Sequence, residues 1–420
     1  MIFSLHQLKL KTFNQYRTRR IKVSEPSNKL KYEFNQRIGK LQKSLQEQNL
    51  DGALFFQSED IFYFTGTGVN SVLVVPSNQE PILLVRINVE KGRMDSLISD
   101  VRPSNGLTTL VDVVNQVLGE KKLALGISFD VINLSFYHQL QRKFPNAVFC
   151  DIQPIVWCLR LIKSDWEIAQ IKAAAEISYK GIEGAIGILK EGISEIKFQK
   201  SIEQIKVFYG DEGNMIQRGS NNRLPFGVVA FGKNTSIISG NWMTMTSMGR
   251  SPSRPYGAGN DQLEKGDLVV IDHGTVYQGY HSDEARTFIY GKADKRHKYL
   301  HSVVNELLET AISEIRPGVS ISEVYLQVEK LADRYGLKDQ FMGLEQYGFR
   351  YIGHGIGLEI DEPPLVSAFN KKVLVPGMVL AIEPKLIFKN EFGITQEDTI
   401  VVTESGCEVI TSFPRDRFEV

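Results

Sequence analysis

The chain has 420 residues, 42% of them apolar and 23% charged, enough for two or three domains at ~100–200 residues each and for a sizeable buried core. Its 49 basic and 49 acidic residues cancel to a formal charge of zero. That argues against a nucleic-acid binder or an anionic-membrane binder, since both normally carry a basic surplus. Three cysteines, Cys150, Cys158 and Cys407, without a C-x-x-C spacing, exclude a zinc knuckle or disulfide framework and fit a reducing, cytoplasmic compartment.

Residues 1–28 hold most of the local basic excess, including Lys9, Lys11, Arg17, Arg19, Arg20 and Lys22, and are expected to form a solvated extension, with a mitochondrial-type presequence as the alternative. Leu30, Phe34, Ile38, Leu41 and Leu45 recur at helical spacing. Strand candidates follow at 52–56, 71–76 and 81–86 and then mix with helical stretches, so residues 29–160 read as an α/β domain. The longest apolar stretches, at 82–85, 268–271 and 379–382, are strand-sized and far short of the ~18 residues of a membrane span. Ser164-Asp165-Trp166-Glu167 is a capping box that opens a helix running to about Lys190. A second box, Ser320-Ile321-Ser322-Glu323, opens a helix ending near Gly336. Residues 219–262 lack any period and are expected to form one or two long irregular loops beside a site, with Met243, Met245 and Met248 beside Trp242 filling loop space or, alternatively, lining a substrate pocket.

Residues 161–420 form the second domain, and it contains a repeat. Leu263 to Asp272 aligns with Leu374 to Glu383: a turn glycine (Gly266, Gly377), an apolar strand, then a carboxylate six residues after the glycine. Each strand turns back to deliver a second acid, Asp283 after Asp272 and Glu397 after Glu383. With a two-residue loop at Tyr277-Gln278, Asp272 faces Asp283 directly; with the loop at Gln278-Gly279 the two are diagonal. Both place them on one face. His273 and His281 alternate to the other face and are expected to be structural. Gly353-His354-Gly355-Ile356-Gly357 lies between the units, its glycines admitting close backbone approach.

Asp272, Asp283, Glu383 and Glu397 gathered without cations would repel one another and resist ionisation. Two divalent ions supply four positive charges and cancel them, with room for a bridging hydroxide. One imidazole, His354, among carboxylate oxygens favours Mn(II), with Co(II) and Zn(II) also able to bind.

These motifs, Ile271-Asp272-x-Gly274, Gly279-Tyr280-x-Ser282-Asp283-x-x-Arg286-Thr287, Gly353 to Gly357, Ile382-Glu383-Pro384 and Glu397-Asp398-Thr399, resemble those of the creatinase/prolidase/aminopeptidase P superfamily. Leu50-Asp51-Gly52 and Ile61 to Gly66 are similar to its amino-terminal domain, and Leu159-Arg160-x-Ile162-Lys163-Ser164 to its linker. The resemblance implies a creatinase-like α/β domain followed by an α+β pita-bread catalytic domain with pseudo-two-fold symmetry. It implies that Asp272 chelates one metal, that Asp283 and Glu397 bridge the pair, and that His354 and Glu383 bind the other. Glu383 would also serve as general base in cleaving a peptide C–N bond before proline, and the assembly would be a homodimer.

Three further histidines usual in such peptidases are replaced. Asp361 stands seven residues after His354, Arg350 four before it, and Tyr256 in the element upstream of the first metal strand. These three are the candidate substrate-binding residues. Arg350 and Asp361 are also candidates for a simple salt bridge. The replacement supports a second expectation, hydrolysis or elimination on a small anionic or zwitterionic metabolite with Arg350 as a clamp.

Overall fold

The computed structural model describes residues 28–213, 215–219, 227–239, 245–343 and 350–420. The expected basic extension (but for Asn28), Trp242 and Met243 lie outside the described residues. The chain divides into two compact units, residues 1–156 and 157–420. No helix among the described residues is long and apolar enough to cross a membrane.

The first unit opens with α1 (Asn28–Glu47), whose Phe34, Ile38, Leu41 and Leu45 are all buried. Then come β1 (Gly52–Phe55), α2 (Ser58–Thr65), β2 (Ser71–Pro76), β3 (Ile82–Val85), α3 (Val89–Asp95) and β4 (Asp100–Pro103). The unit continues with α4 (Leu107–Leu118), β5 (Ala124–Ile127), α5 (Leu134–Lys143) and β6 (Val148–Asp151). The six strands form one mixed sheet in the order β4-β3-β2-β1-β5-β6. β1 pairs antiparallel with β2, and β5 pairs in parallel with both β1 and β6. Leu54, Val74, Leu84, Leu125 and Phe149 of the sheet pack with Leu110, Val114 and Leu140 of α4 and α5. This is the expected α/β layering.

Helix α6 (Gln153–Leu161) crosses from one unit to the other, and α7 (Asp165–Ile186) begins at the predicted capping box. Glu167 N–H donates to Ser164 Oγ at 3.2 Å and Ser164 N–H to Glu167 Oε2 at 3.0 Å, satisfying donors that the first helical turn leaves orphaned. Next come α8 (Glu195–Tyr209), β7 (Val228–Phe231), β8 (Leu268–Tyr277), β9 (Tyr280–Ile289), α9 (Lys295–Glu314) and α10 (Ile321–Arg334). The chain closes with β10 (Gly353–Gly355), β11 (Val379–Ile382), β12 (Lys385–Phe388), β13 (Phe392–Thr395), β14 (Asp398–Val402) and β15 (Cys407–Val409). β7, an unforeseen short strand, divides the stretch 219–262, expected as one or two long irregular loops. Four buried residues there, Val228 to Phe231, pair antiparallel with β8. Met245 fills space against Val270 and Ile387 as expected of loop packing, whereas Met248 is exposed.

Both repeat glycines turn in the left-handed region, Gly266 at φ 96° and Gly377 at φ 86°, a conformation that favours glycine. The first hairpin, β8–β9, is continuous: Asp272 pairs with Ala285 and Gly274 with Asp283. Its loop is Gln278-Gly279, at φ 51° and 77°, the positive pair of a type I′ turn. Asp272 and Asp283 are therefore diagonal on one face. The second unit breaks at Pro384, which lacks the N–H that would continue the ladder. β11 pairs with β14 and β12 with β13 in one shared register, so Glu383 and Glu397 stand opposite each other at the break.

Candidate metal centre

β10 carries His354 beside β11, with Gly353 opposite Ile382 and His354 opposite Ala381. A Cβ on Gly353 would come within 2.1 Å of the Ala381 carbonyl oxygen, so only glycine lets these strands close. The acid-bearing strands are tied together by side chains of the same motifs. Thr399 Oγ1 donates to the Asp283 carbonyl at 2.7 Å and accepts from Asp283 N–H at 2.9 Å. Buried Arg286 donates to the Glu397 carbonyl at 2.5 Å and to Asp398 Oδ1 at 2.8 Å.

The structure gathers Asp283, His354 and Glu397, all buried, with one ligand atom from each lying within 4.8 Å of the others. His354 Nδ1 faces the Gly355 carbonyl at 3.0 Å and Asp361 Oδ1 at 3.2 Å, which leaves Nε2 as the nitrogen for a cation. Asp272 and Glu383 are held differently. The buried ammonium of Lys385 lies 2.5 Å from Glu383 Oε2 and 3.6 Å from Asp272 Oδ2.

Burial raises the carboxyl of Asp283 well above its ordinary range, and the charges of Asp272 and Glu383 push it further. Glu397 is raised in the same way by burial and then by Asp283, Asp272 and Glu383. Asp272 also rises through burial, with Lys385 drawing it back. Burial opposes a charge on His354, but Asp361, Glu383 and Asp283 outweigh it and lift the imidazole to about 9. Glu397 Oε2 is buried without a hydrogen-bond partner. A site that lifts an imidazole this far and leaves a carboxylate oxygen unpaired fits a bound cation.

The candidate substrate-binding residues have different partners. Asp361 is half-buried against His354 and accepts from Gln217 Nε2 at 2.8 Å. Arg350 is exposed, 3.7 Å from Glu329 and stacked over Phe369, so the alternative Arg350–Asp361 salt bridge is not what forms. Tyr256 is half-buried in a loop closed by Gly249 N–H donating to the Gly257 carbonyl at 3.0 Å. His281 bridges Ile216 N–H and the Gly357 carbonyl at 3.0 Å each, a structural role. His273 is buried and its imidazole is held well below its ordinary pKa by burial and then by Lys206 and Lys200. Two residues near the acids escaped the sequence reading, Lys385 and Tyr351. Burial and then the charge of Glu383 raise the Tyr351 phenol. A lysine opening the otherwise apolar strand Lys385-Leu386-Ile387-Phe388 was the available signal for the first.

Residues 169–404 match metallopeptidase family M24, and residues 37–162 match the creatinase/prolidase N-terminal domain. The chain belongs to metallopeptidase family M24, within the creatinase/prolidase/aminopeptidase P superfamily. It is 26% identical to an Xaa-Pro dipeptidase of Pyrococcus furiosus over 91% of this chain and 99% of that one. Among solved structures it resembles an Xaa-Pro dipeptidase from Bacillus anthracis (TM-score 0.79, 26% identity, 92% and 100% of the two chains). It also resembles an X-Pro aminopeptidase from Thermotoga maritima (TM-score 0.77, 25% identity, 91% and 99%). The fold is a creatinase-type amino-terminal domain followed by a pita-bread catalytic domain, and the protein is a hydrolase of a family that uses divalent metal ions.

Proposed function

We propose that this protein hydrolyses the peptide bond before proline in short peptides, using Mn(II) held by residues drawn from Asp272, Asp283, His354, Glu383 and Glu397. The observation that carries the reading is the buried cluster of Asp283, His354 and Glu397 in a chain of this peptidase family. The names of its relatives supply the substrate class. A divalent ion bound there supplies a water that is nucleophilic at neutral pH and a Lewis acid for the scissile carbonyl.

The protein's own groups do the rest. Glu383, opposite Glu397 at the strand break, accepts a proton from the attacking water and delivers it to the departing proline nitrogen. The oxygen–carbon bond forms first, giving a tetrahedral adduct of the substrate, and the carbon–nitrogen bond breaks as the proton reaches the nitrogen. Asp361 and the Gly355 carbonyl fix the His354 ring. The surface engagement of Arg350 by Glu329 offers no support for an anion clamp. A cytoplasmic homodimer completes the reading, on the sparse cysteines and the family resemblance.

Purified protein with Mn(II) and a panel of Xaa-Pro dipeptides and Xaa-Pro-headed longer peptides tests it, with free amino acids read by mass spectrometry. Cleavage is expected, and Glu383→Gln should lower the rate by about 10²- to 10⁴-fold. An intact panel beside turnover of a small zwitterionic amide would replace this reading with the metabolite one.

A further inference from the structure

The geometry points to Lys385 as a built-in cation: its ammonium takes the place of one of two metal ions, and the protein holds a single divalent ion on Asp283, His354 and Glu397. This rests on the metal-dependent reading above and changes its stoichiometry.

Three observations carry it. The five expected ligands divide into two sets, three with donor atoms within 4.8 Å of one another and two gathered on Lys385 Nζ. The Lys385 side chain is only 2% exposed, and its position is set by the main chain, since Lys385 follows Pro384 and pairs with Thr395 at the start of β12. Displaced by a second dication, this ammonium would remain buried beside like charge without its counter-ions. Finally, the charges come close to balance. Two dications would cancel the four carboxylates, and one dication with one ammonium leaves a single negative charge. A sequence reading that counts acids alone asks for two metals; the lysine removes the need for one.

The test uses the full chain with Mn(II), and with Co(II) and Zn(II) in parallel, and no substrate. Protein incubated with excess Mn(II) is freed of unbound ion by gel filtration. Metal content is then read by mass spectrometry, binding by calorimetric titration, and nuclearity by electron paramagnetic resonance. One equivalent per chain with the spectrum of an isolated Mn(II) is expected, and two equivalents in Lys385→Gly. Two spin-coupled ions in the unaltered protein would overturn the inference and leave the peptidase reading standing. A glycine variant that folds and still binds one ion would overturn the assignment of the second place to Lys385. Failure to bind Mn(II), Co(II) or Zn(II) at all would sink the metal-dependent reading itself. If the variant does not fold, the count and spectrum of the unaltered protein decide alone.

Discussion

Oδ1 of Asp361 lies 3.2 Å from Nδ1 of His354, while Gln217 Nε2 donates to its other oxygen at 2.8 Å. A carboxylate on the far nitrogen of a ligating imidazole fixes the tautomer and raises its basicity, and loss of such a partner typically costs 10- to 100-fold in metal affinity. Asp361→Ala is therefore expected to weaken Mn(II) binding by about that factor, read by calorimetric titration. Unchanged affinity with a raised KM would return Asp361 to a substrate-binding role.

Glu362 accepts from Arg160 Nη2 at 2.5 Å and lies 3.1 Å from Lys163 Nζ, all three buried. Burial alone would raise its carboxyl, but Arg160 and Lys163 overcome this and hold it at about 2, against an ordinary 4.5. A depressed carboxyl stabilises the fold above its unfolded pKa, and the contribution fades as pH falls from 4.5 toward 2. The linkage amounts to about 3 kcal/mol at pH 7. Glu362→Gln removes the carboxylate facing buried Lys163 and leaves Arg160 with Glu359 at 3.4 Å, and should cost about 3–5 kcal/mol at pH 7. Urea unfolding should show less than half of the linkage part remaining at pH 3. A difference that does not shrink would refute the account.

Without a cation, Asp283 and Glu397 carry raised pKa values. Acids raised in this way stabilise the folded chain fully below their unfolded pKa values, and lose that stabilisation as pH rises through the folded ones. A bound dication replaces the protons, so its benefit grows with pH. At 100 times its Kd, Mn(II) should add about 2.7 kcal/mol at pH 7.5, a rise in Tm of roughly 5–10 °C, and clearly less at pH 5. Scanning calorimetry with and without EDTA checks both magnitude and trend.

Gly353→Ala places a methyl group 2.1 Å from the Ala381 carbonyl oxygen. We expect a stability loss of about 1–3 kcal/mol, and weaker Mn(II) binding because His354 is the next residue. Full retention of both by unfolding and titration would show that β10 and β11 can part without disturbing the site.

Much of this architecture was legible from local chemistry. The two capping boxes, the alternation in the first domain and the glycine-strand-acid repeat each announce themselves within ten residues. The hairpin register was legible only to parity, because two turns fit the spacing; the positive φ of both Gln278 and Gly279 decides between them. β7 escaped because Val228 to Phe231 is too short to show a period and gains its place only by pairing with β8, some forty residues on. Lys385 escaped for a different reason. A place two residues after Glu383 says nothing of where an ammonium ends up, and only the fold brings Asp272 near it as well. Arg350 illustrates the converse, a residue four positions from His354 that turns to Glu329 instead.

Pro384 leaves the two arms of the duplicated plan unequal. The β8–β9 arm is one ten-residue ladder, whose acids can shift only if the whole ribbon shifts. The other arm is jointed, and position 385 begins its outer segment, where the main-chain pairing to Thr395 is indifferent to the side chain carried. On the one-ion proposal, the side chain at this joint sets the metal count, while the ladder that positions Asp272 and Asp283 lies in the other, unbroken arm.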